Sequence, residues 1–342
     1  MAELDVALIG AGGIARTHLS AWAALGARVR VYAPDGRAPG LAREFGATAV
    51  GSREEAIAGA TVVDVCTPTD THREICLAAV AAGAHVLCEK PLALTAADAA
   101  HVARAASAAG VRLYPGHVVR FFPAYARLRD LVAGGAPGRV AVARFTRTGC
   151  YPTWSPWFAD PARSGGILVD QMIHDFDIAR WLFGEVVRVH AHTAGHVTAP
   201  APMGAVAAGT AVLTHEGGCV TQVVGVWAPQ GTPFRTTFHI AGTGGTVSHD
   251  SLAAPGLRIV GGAGAGRADG IPSGDFGQSP YTTQIREFAA AFTDRGPEPR
   301  VGAADGVAAV RIAEAAAESA RTGRAVVLER TGVNEAIEEN AA

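Results

Sequence analysis

The feature that most constrains this chain is a glycine-rich turn near its N-terminus. The segment Gly10-Ala11-Gly12-Gly13-Ile14-Ala15 reads G-x-G-x-x-A, follows an apolar strand pattern at 6–9 and opens a helical pattern at 14–25. Such a turn needs glycine where the chain reverses and where backbone approaches a pyrophosphate, and a small residue where helix and strand pack. The helix N-terminus then offers N–H groups to the phosphate. In this context the motif predicts dinucleotide binding. The expected contacts are Gly10, Gly12, Gly13 and Ile14.

The first 117 residues continue the same alternation of strands and helices. Further strands are expected at 29–32, 61–67, 85–88 and 111–114, and helices at 39–45, 71–82 and 96–109. Strands that alternate with helices predict a parallel sheet covered on both faces. We therefore expect residues 1–117 to form a dinucleotide-binding Rossmann domain of the doubly wound α/β class.

After Gly116 the pattern becomes rich in strands. Strands are expected at 139–147, 186–192, 209–215, 219–227, 234–241, 246–248, 257–260 and 325–328, and helices at 123–132, 168–183, 281–292 and 305–319. The pattern predicts an α/β domain over 118–330 with a large, mostly antiparallel open sheet, for substrate binding and oligomerisation. We expect a mobile glycine-rich loop at 261–277 and a flexible acidic tail at 331–342.

Composition excludes several classes of protein. The 342 residues suffice for about two domains, and a net charge of −2 argues against a nucleic-acid binder. The sequence has neither a long uncharged apolar run nor a signal-peptide pattern, so no membrane partner is expected. Five cysteines without a CxxC pair are typical of reduced thiols. We expect a cytoplasmic protein that binds no metal.

One residue stands out because of this composition. Lys90 is the only lysine among 29 lysines and arginines, and it lies in Glu89-Lys90-Pro91 after the fourth expected strand. In open parallel sheets this edge binds ligands. An ammonium group can hydrogen-bond a hydroxyl oxygen and stabilise the charge that develops on it. An isolated lysine is ordinarily a solvated surface residue. Here the bias of the composition against lysine and the position at the end of a strand favour a functional role.

The segment after the third expected strand belongs to the same edge. It reads Thr67-Pro68-Thr69-Asp70-Thr71-His72, and capping of the next helix by Asp70 or Thr71 explains part of it equally well. At this edge we expect cofactor contacts from Thr67, Pro68, Thr69, His72, Glu89 and Lys90.

The end of the second strand leaves the cofactor open. In NAD enzymes an acid at that point binds the adenosine ribose. Here Asp35 comes a few residues late and is equally a turn residue, and Arg37 is suited to a 2′-phosphate. The sequence therefore predicts NAD or NADP without choosing between them.

An acid and a histidine recur in the second half of the chain. Asp170 and His174 are spaced i, i+4 in the helix expected at 168–183 and share one of its faces. A carboxylate beside an imidazole orients the ring and stabilises imidazolium, as general acid–base catalysis requires. The alternative is an ordinary hydrogen-bonded pair, and a zinc half-site lacks an evident third ligand. His190, His192 and His196 are interpreted as solvated or packing histidines.

Together these motifs resemble the Gfo/Idh/MocA family, the glucose–fructose oxidoreductase and inositol dehydrogenase group, over nearly the whole chain. The resemblance implies that Lys90, Asp170 and His174 are catalytic, and that hydride passes between NAD or NADP and a sugar, cyclitol or related polyol. It also implies a homodimer or homotetramer formed through the second-domain sheet. One departure is the missing acid after the second strand. Another is Gln171-Met172 where many members have a small residue, which we expect to reshape the pocket.

In this reading His174 takes the hydroxyl proton, Asp170 orients His174 and Lys90 polarises the reacting oxygen. Two alternatives remain: a reductase of an imine, amino sugar or dihydrodiol-type compound, and a dinucleotide-binding regulator without catalysis. The residues expected to line the substrate site are Arg120, Tyr151, Trp154, Asp170, His174 and Tyr281.

Overall fold

A computed structural model describes residues 4–195, 206–253, 257–260 and 279–329. They form two compact units. The first comprises the described residues of Met1–Phe121 and Gln278–Ala308, and the second those of Phe122–Gly277 and Ala309–Arg330. The loop expected at 261–277, the tail expected at 331–342 and His196 lie outside the described residues.

The strands and helices of these ranges are numbered in chain order. The strands are β1 Asp5–Ile9, β2 Arg28–Tyr32, β3 Thr48–Ala49, β4 Val62–Val65, β5 His85–Glu89, β6 Leu113–Gly116, β7 Val140–Cys150, β8 Val186–Ala194, β9 Ala207–His215, β10 Val220–Ala228, β11 Arg235–Gly242, β12 Gly245–Asp250, β13 Leu257–Val260 and β14 Val326–Val327. The helices are α1 Gly13–Ala24, α2 Ala38–Phe45, α3 Arg53–Ile57, α4 His72–Ala81, α5 Ala96–Ala108, α6 Pro123–Ala133, α7 Pro161–Ser164, α8 Gly166–Asp170, α9 Ile173–Phe183, α10 Pro280–Phe292 and α11 Ala303–Thr322.

The first unit is built on a parallel sheet. Its described strands number six, in the order β3-β2-β1-β4-β5-β6, and every neighbouring pair is parallel. All four residues of β4 are buried, as expected for a strand covered on both faces. The predicted Rossmann sheet is confirmed. The prediction missed β3, because two residues are too few to show a period.

Helix α10 returns to this unit from late in the sequence. Its buried residues Ile285, Phe288 and Phe292 recur at helical spacing. The ring of Phe288 stacks on Tyr114 at 5.1 Å and meets Phe121 edge-on at 5.8 Å. The apolar face of α10 therefore completes the core of the first unit.

The second unit is built on a mixed sheet. The strands described there number eight, in the order β13-β12-β11-β7-β10-β9-β8-β14. Strands β7 and β10 pair in parallel, and the other pairs are antiparallel. Along β10 buried and half-buried residues alternate, so one face of the sheet is packed and the other more open. The predicted mostly antiparallel open sheet is confirmed.

The helix predicted at 168–183 is interrupted. Helix α8 ends at Asp170 and α9 begins at Ile173. Met172 between them is fully buried and packs against Gly209 and Gly225, which face each other across β9 and β10. A Cβ at Gly225 would lie 2.5 Å from Met172 Cγ, and one at Gly209 2.6 Å from its Sδ. This packing places the side chain of Met172 against the sheet.

Among the helices in the described part of the chain, none combines the length and apolar character needed to cross a membrane.

Candidate active site

The glycine-rich turn connects β1 to α1. Gly10 has φ +118°, and a Cβ there would lie 2.3 Å from the Cys66 carbonyl oxygen. Gly10 is therefore required by conformation and by space. At Gly12 and Gly13 a Cβ would meet no described atom within 4 Å. The turn thus offers backbone N–H groups at a helix N-terminus and room for a ligand to approach them, which fits a dinucleotide pyrophosphate.

Beyond β2, the two candidate specificity residues bind each other. Arg37 Nε donates to Asp35 Oδ2 at 2.8 Å, and the Arg37 backbone N–H donates to Asp35 Oδ1 at 3.1 Å. The hydrogen bonds from the Arg37 side chain hold the pKa of Asp35 below its usual range. Asp35 is therefore a turn residue that also neutralises Arg37.

The segment after β4 is tied to the segment after β5. Thr71 Oγ1 donates to Thr67 Oγ1 at 2.7 Å. His72 is buried, with Nδ1 2.7 Å from the Pro91 carbonyl oxygen and Nε2 2.9 Å from that of Thr67. Burial lowers the pKa of His72. The neutral ring carries one N–H, so it donates to one of these two carbonyl oxygens and packs against the other. The predicted cofactor contact of His72 stays a prediction.

A buried polar network lies beneath the same edge. His18 Nδ1 lies 3.0 Å from Asp64 Oδ2, which also accepts from Trp22 Nε1 at 2.7 Å. His18 Nε2 lies 3.1 Å from Glu89 Oε1. Burial disfavours the charged ring, but Asp64 outweighs it and raises the pKa of His18 well above its ordinary value. Glu89 is buried too, yet contact with His18 lowers its pKa.

His18, Asp64 and Cys66 are close enough together to hold a metal ion. Burial raises the pKa of the Cys66 thiol, which opposes the thiolate that a metal requires. The Trp22 N–H already occupies Asp64. We therefore interpret the group as a hydrogen-bonded ion network around a protonated histidine.

Lys90 follows β5 directly. Its backbone N–H donates to Glu89 Oε2 at 3.0 Å, and the Lys90–Pro91 peptide is cis. The Glu89 carboxylate lies against Gly116, where a Cβ would come within 2.9 Å of Oε1. In the sheet order β5 is separated from β1 by β4 alone. Lys90 therefore belongs to the same carboxyl edge as the glycine-rich turn.

The predicted acid–base pair belongs to the second unit. Asp170, the last residue of α8, is buried, and His174, in the first turn of α9, is half-buried. Next to His174, Asp175 accepts two hydrogen bonds from Arg147 on β7, both of 2.9 Å. This buried ion pair anchors the start of α9 to the sheet. Sequence reasoning missed it, because Arg147 and Asp175 are 28 residues apart.

The predicted substrate residues occupy different surroundings. In the second unit, Tyr151 is buried with its ring 5.5 Å from that of Trp227, and Trp154 is 68% exposed. In the first, Tyr281 has its ring 6.2 Å from that of His18.

Arg120, also in the first unit, is buried. Its Nη1 donates to the Arg300 carbonyl oxygen at 2.6 Å and to Asp305 at 3.2 Å. The guanidinium of Arg120 therefore supports its own unit. Substrate contact by Arg120, Tyr151, Trp154 and Tyr281 stays a prediction.

Comparison with known proteins agrees with this arrangement. Residues 4–117 match the sequence model of the "Oxidoreductase family, NAD-binding Rossmann fold", and residues 125–248 match the "GFO/IDH/MocA C-terminal domain". Myo-inositol dehydrogenase Hyg17 of Streptomyces leeuwenhoekii is 32% identical over 94% of this chain and 98% of its own length. The 1,5-anhydro-D-fructose reductase of Ensifer adhaerens is 41% identical, but over only 36% of this chain and 38% of its own length.

A solved structure is also similar over nearly the whole length. The crystal structure of GenD2 from gentamicin A biosynthesis in complex with NAD has a TM-score of 0.83 and 29% identity, and the match covers 96% of this chain and 97% of GenD2. The two halves of the chain, its motifs and its fold therefore all point to the same family. The chain belongs to the Gfo/Idh/MocA family of oxidoreductases with an NAD-binding Rossmann fold.

Proposed function

We propose that the chain is an NAD-dependent dehydrogenase or reductase that acts on a CH–OH group of a sugar, cyclitol or related polyol. The observation that carries this proposal is the position of Lys90. It is the only lysine and follows β5 at the carboxyl edge that also carries the glycine-rich turn. The names of the inositol dehydrogenase and anhydrofructose reductase relatives support the substrate class.

The chemistry divides among three residues of this chain. A bound nicotinamide supplies the hydride acceptor or donor. In the oxidative direction, Lys90 hydrogen-bonds the substrate oxygen through its ammonium group and stabilises the negative charge that develops there. His174 accepts the hydroxyl proton on a ring nitrogen, and Asp170 orients that ring and stabilises its protonated form. The same groups return the proton in the reductive direction.

Removal of the ammonium tests the proposal. We expect Lys90→Met to lower kcat for polyol oxidation by at least about 100-fold, because the developing charge loses its donor. Calorimetry should show that Lys90→Met still binds NADH, because the glycine-rich turn is untouched. Arg43→Met removes an exposed cation from α2 and should leave kcat unchanged. Equal turnover by wild type and Lys90→Met would remove the lysine role.

A second substrate class shares this machinery. An imine, amino sugar or dihydrodiol-type compound also needs a hydride partner, a proton donor and a group that polarises the reacting atom. Similarity to GenD2 from gentamicin A biosynthesis is the observation that favours this class. A panel that contains both polyols and amino sugars, assayed with NAD and NADP, separates the two. NADH binding without turnover of any panel member would favour a regulator.

We further propose a cytoplasmic homodimer or homotetramer. The open face of the second sheet supports this assembly, because its residues include the exposed Thr210 and Val212 on β9 and the half-buried Val224 and Val226 on β10. The five cysteines are free, which suits a reducing compartment. Sedimentation of Val212→Glu against wild type tests the face: a shift towards monomer is expected, and an unchanged mass would contradict it.

A further inference from the structure

We propose that two buried histidines, His18 and His72, are positioning residues that fix the main chain on either side of Lys90. The inference rests on the proposed function only in that Lys90 is taken as catalytic. In this role neither histidine needs to contact the substrate. His18 acts from α1 through Glu89, the residue before Lys90, and His72 acts from α4 on Pro91, the residue after it.

The first set of contacts, from His18, runs through side chains to the backbone of Lys90. Asp64 holds Nδ1 of His18, so that Nε2 faces Glu89 at 3.1 Å. The other oxygen of Glu89 accepts the Lys90 backbone N–H at 3.0 Å. His18 and Asp64 are fully buried and Glu89 is 7% exposed, so water competes little for these contacts. The buried ion pair with His18 restricts the carboxylate that accepts the Lys90 amide.

The second set of contacts, from His72, acts directly on the backbone. His72 Nδ1 lies 2.7 Å from the Pro91 carbonyl oxygen, and Nε2 lies 2.9 Å from that of Thr67. The ring is 1% exposed. His72 therefore lies between the segment after β5 and the segment after β4, and its shorter contact is with the peptide that follows Lys90.

A lysine at the end of a strand needs such support. Its ammonium sits on a flexible four-carbon stem, so the direction of that stem from the backbone decides where the charge lies. A displacement of about 1 Å can cost about 100-fold in rate. Contacts from two different helices restrict the backbone on both sides of Lys90.

The groups that face His18 and His72 suggest a matched set of variants. The amide nitrogen of asparagine falls near the place of Nδ1, and that of glutamine near the place of Nε2. His18→Gln therefore keeps a donor towards Glu89, and His18→Asn keeps one towards Asp64. At His72 the order reverses. The neutral ring carries one N–H, and the shorter contact, 2.7 Å to the Pro91 carbonyl oxygen, assigns it to Nδ1. His72→Asn therefore keeps this donor and His72→Gln removes it.

The single lysine makes a substrate-free readout possible. Protein labelled with [15N]lysine gives one backbone amide resonance, that of Lys90. In wild type we expect this amide to exchange slowly with solvent. His18→Asn and His72→Gln should shift the resonance and speed its exchange by about tenfold or more, whereas His18→Gln and His72→Asn should stay near wild type. Fast exchange in folded wild type, or equal spectra for the two variants at both positions, would overturn the proposal.

Turnover provides the second arm. With myo-inositol as the first probe and the polyol panel after it, His18→Asn should lower kcat about tenfold while KM and NADH affinity stay within about twofold. His72→Gln should lower kcat by a similar factor. His18→Gln should retain kcat within about threefold, and His72→Asn should retain more activity than His72→Gln. If all four variants lose kcat equally in proportion to their thermal stability, the histidines support the core alone. If wild type turns over no probe, the amide resonance still decides the positioning role while the proposed function fails.

Discussion

At the scale of single residues, we expect the Asp35–Arg37 pair to affect the choice between NAD and NADP. Arg37 suits the 2′-phosphate of NADP, but Asp35 binds its guanidinium through side chain and backbone. An arginine whose charge is neutralised by a carboxylate attracts a phosphate less than an unpaired arginine does. The pair therefore favours NAD, and the choice that the sequence left open becomes testable.

Asp35→Ala should weaken this preference. We expect NADPH affinity to rise by about tenfold, because Arg37 gains freedom to form a charge-assisted hydrogen bond with the 2′-phosphate. NADH affinity should fall or stay equal. Calorimetry with both cofactors measures the ratio, with Asp35→Ala/Arg37→Ala as the control that should lose the gain. A ratio that does not move would show that the pair lies outside the ribose site.

His18 makes stability depend on pH in a defined direction. Its folded pKa is raised well above 6.5, so its contribution is complete below 6.5 and is lost as pH rises through the folded value. Urea unfolding of wild type and His18→Gln, from about pH 6 to pH 10, measures it. The stability advantage of wild type should shrink as pH rises. An advantage that grows with pH would mean that the ring is neutral in the folded protein.

Some of the important residues could be identified from the sequence and others could not. Lys90 was conspicuous, because composition bias and motif context both singled it out. His18 and Asp64 carried no such signal, because they are 46 residues apart and meet only once α1 lies on the sheet. A polar residue on the apolar face of α1 was the one available hint.

At the scale of elements, the turn between β1 and α1 uses its glycines for different reasons. Gly10 needs a positive φ and has no room for a Cβ, whereas Gly12 has open space beside it. Substitution of Gly10 therefore tests folding, whereas substitution of Gly12 tests cofactor binding.

Gly10→Ala should lower the free energy of unfolding by at least about 2 kcal/mol, through backbone strain and overpacking. Gly12→Ala should leave stability within about 0.5 kcal/mol and weaken NADH binding by about tenfold, because its methyl group occupies the approach of the pyrophosphate. Thermal unfolding and calorimetry measure both. Unchanged NADH affinity in folded Gly12→Ala would place the pyrophosphate elsewhere.

Element type was more predictable than element continuity. The helix expected at 168–183 followed from an apolar period, yet α8 and α9 are separate. The cause is the burial of Met172 against Gly209 and Gly225, a contact between residues far apart in sequence. A local pattern carries no information about such a partner.

At the scale of the whole molecule, alternation of strands and helices was enough to predict the Rossmann sheet, and strand-rich patterning the open sheet. The return of α10 to the first unit could not be read from the sequence, because its amphipathic pattern fits any apolar surface. The proposed catalytic residues are divided between the two units. Lys90 lies in one unit, and Asp170 and His174 lie in the other.

The most direct test of the account is NADH formation when the protein and NAD are mixed with a panel of cyclitols and sugars, for wild type beside Lys90→Met. We expect wild type to reduce NAD with at least one polyol and Lys90→Met to be slower by about 100-fold or more at saturating NAD, with NADH still bound by both. NADH formation at the same rate in both proteins would contradict the role of the single lysine, and none in either would contradict the proposed oxidation.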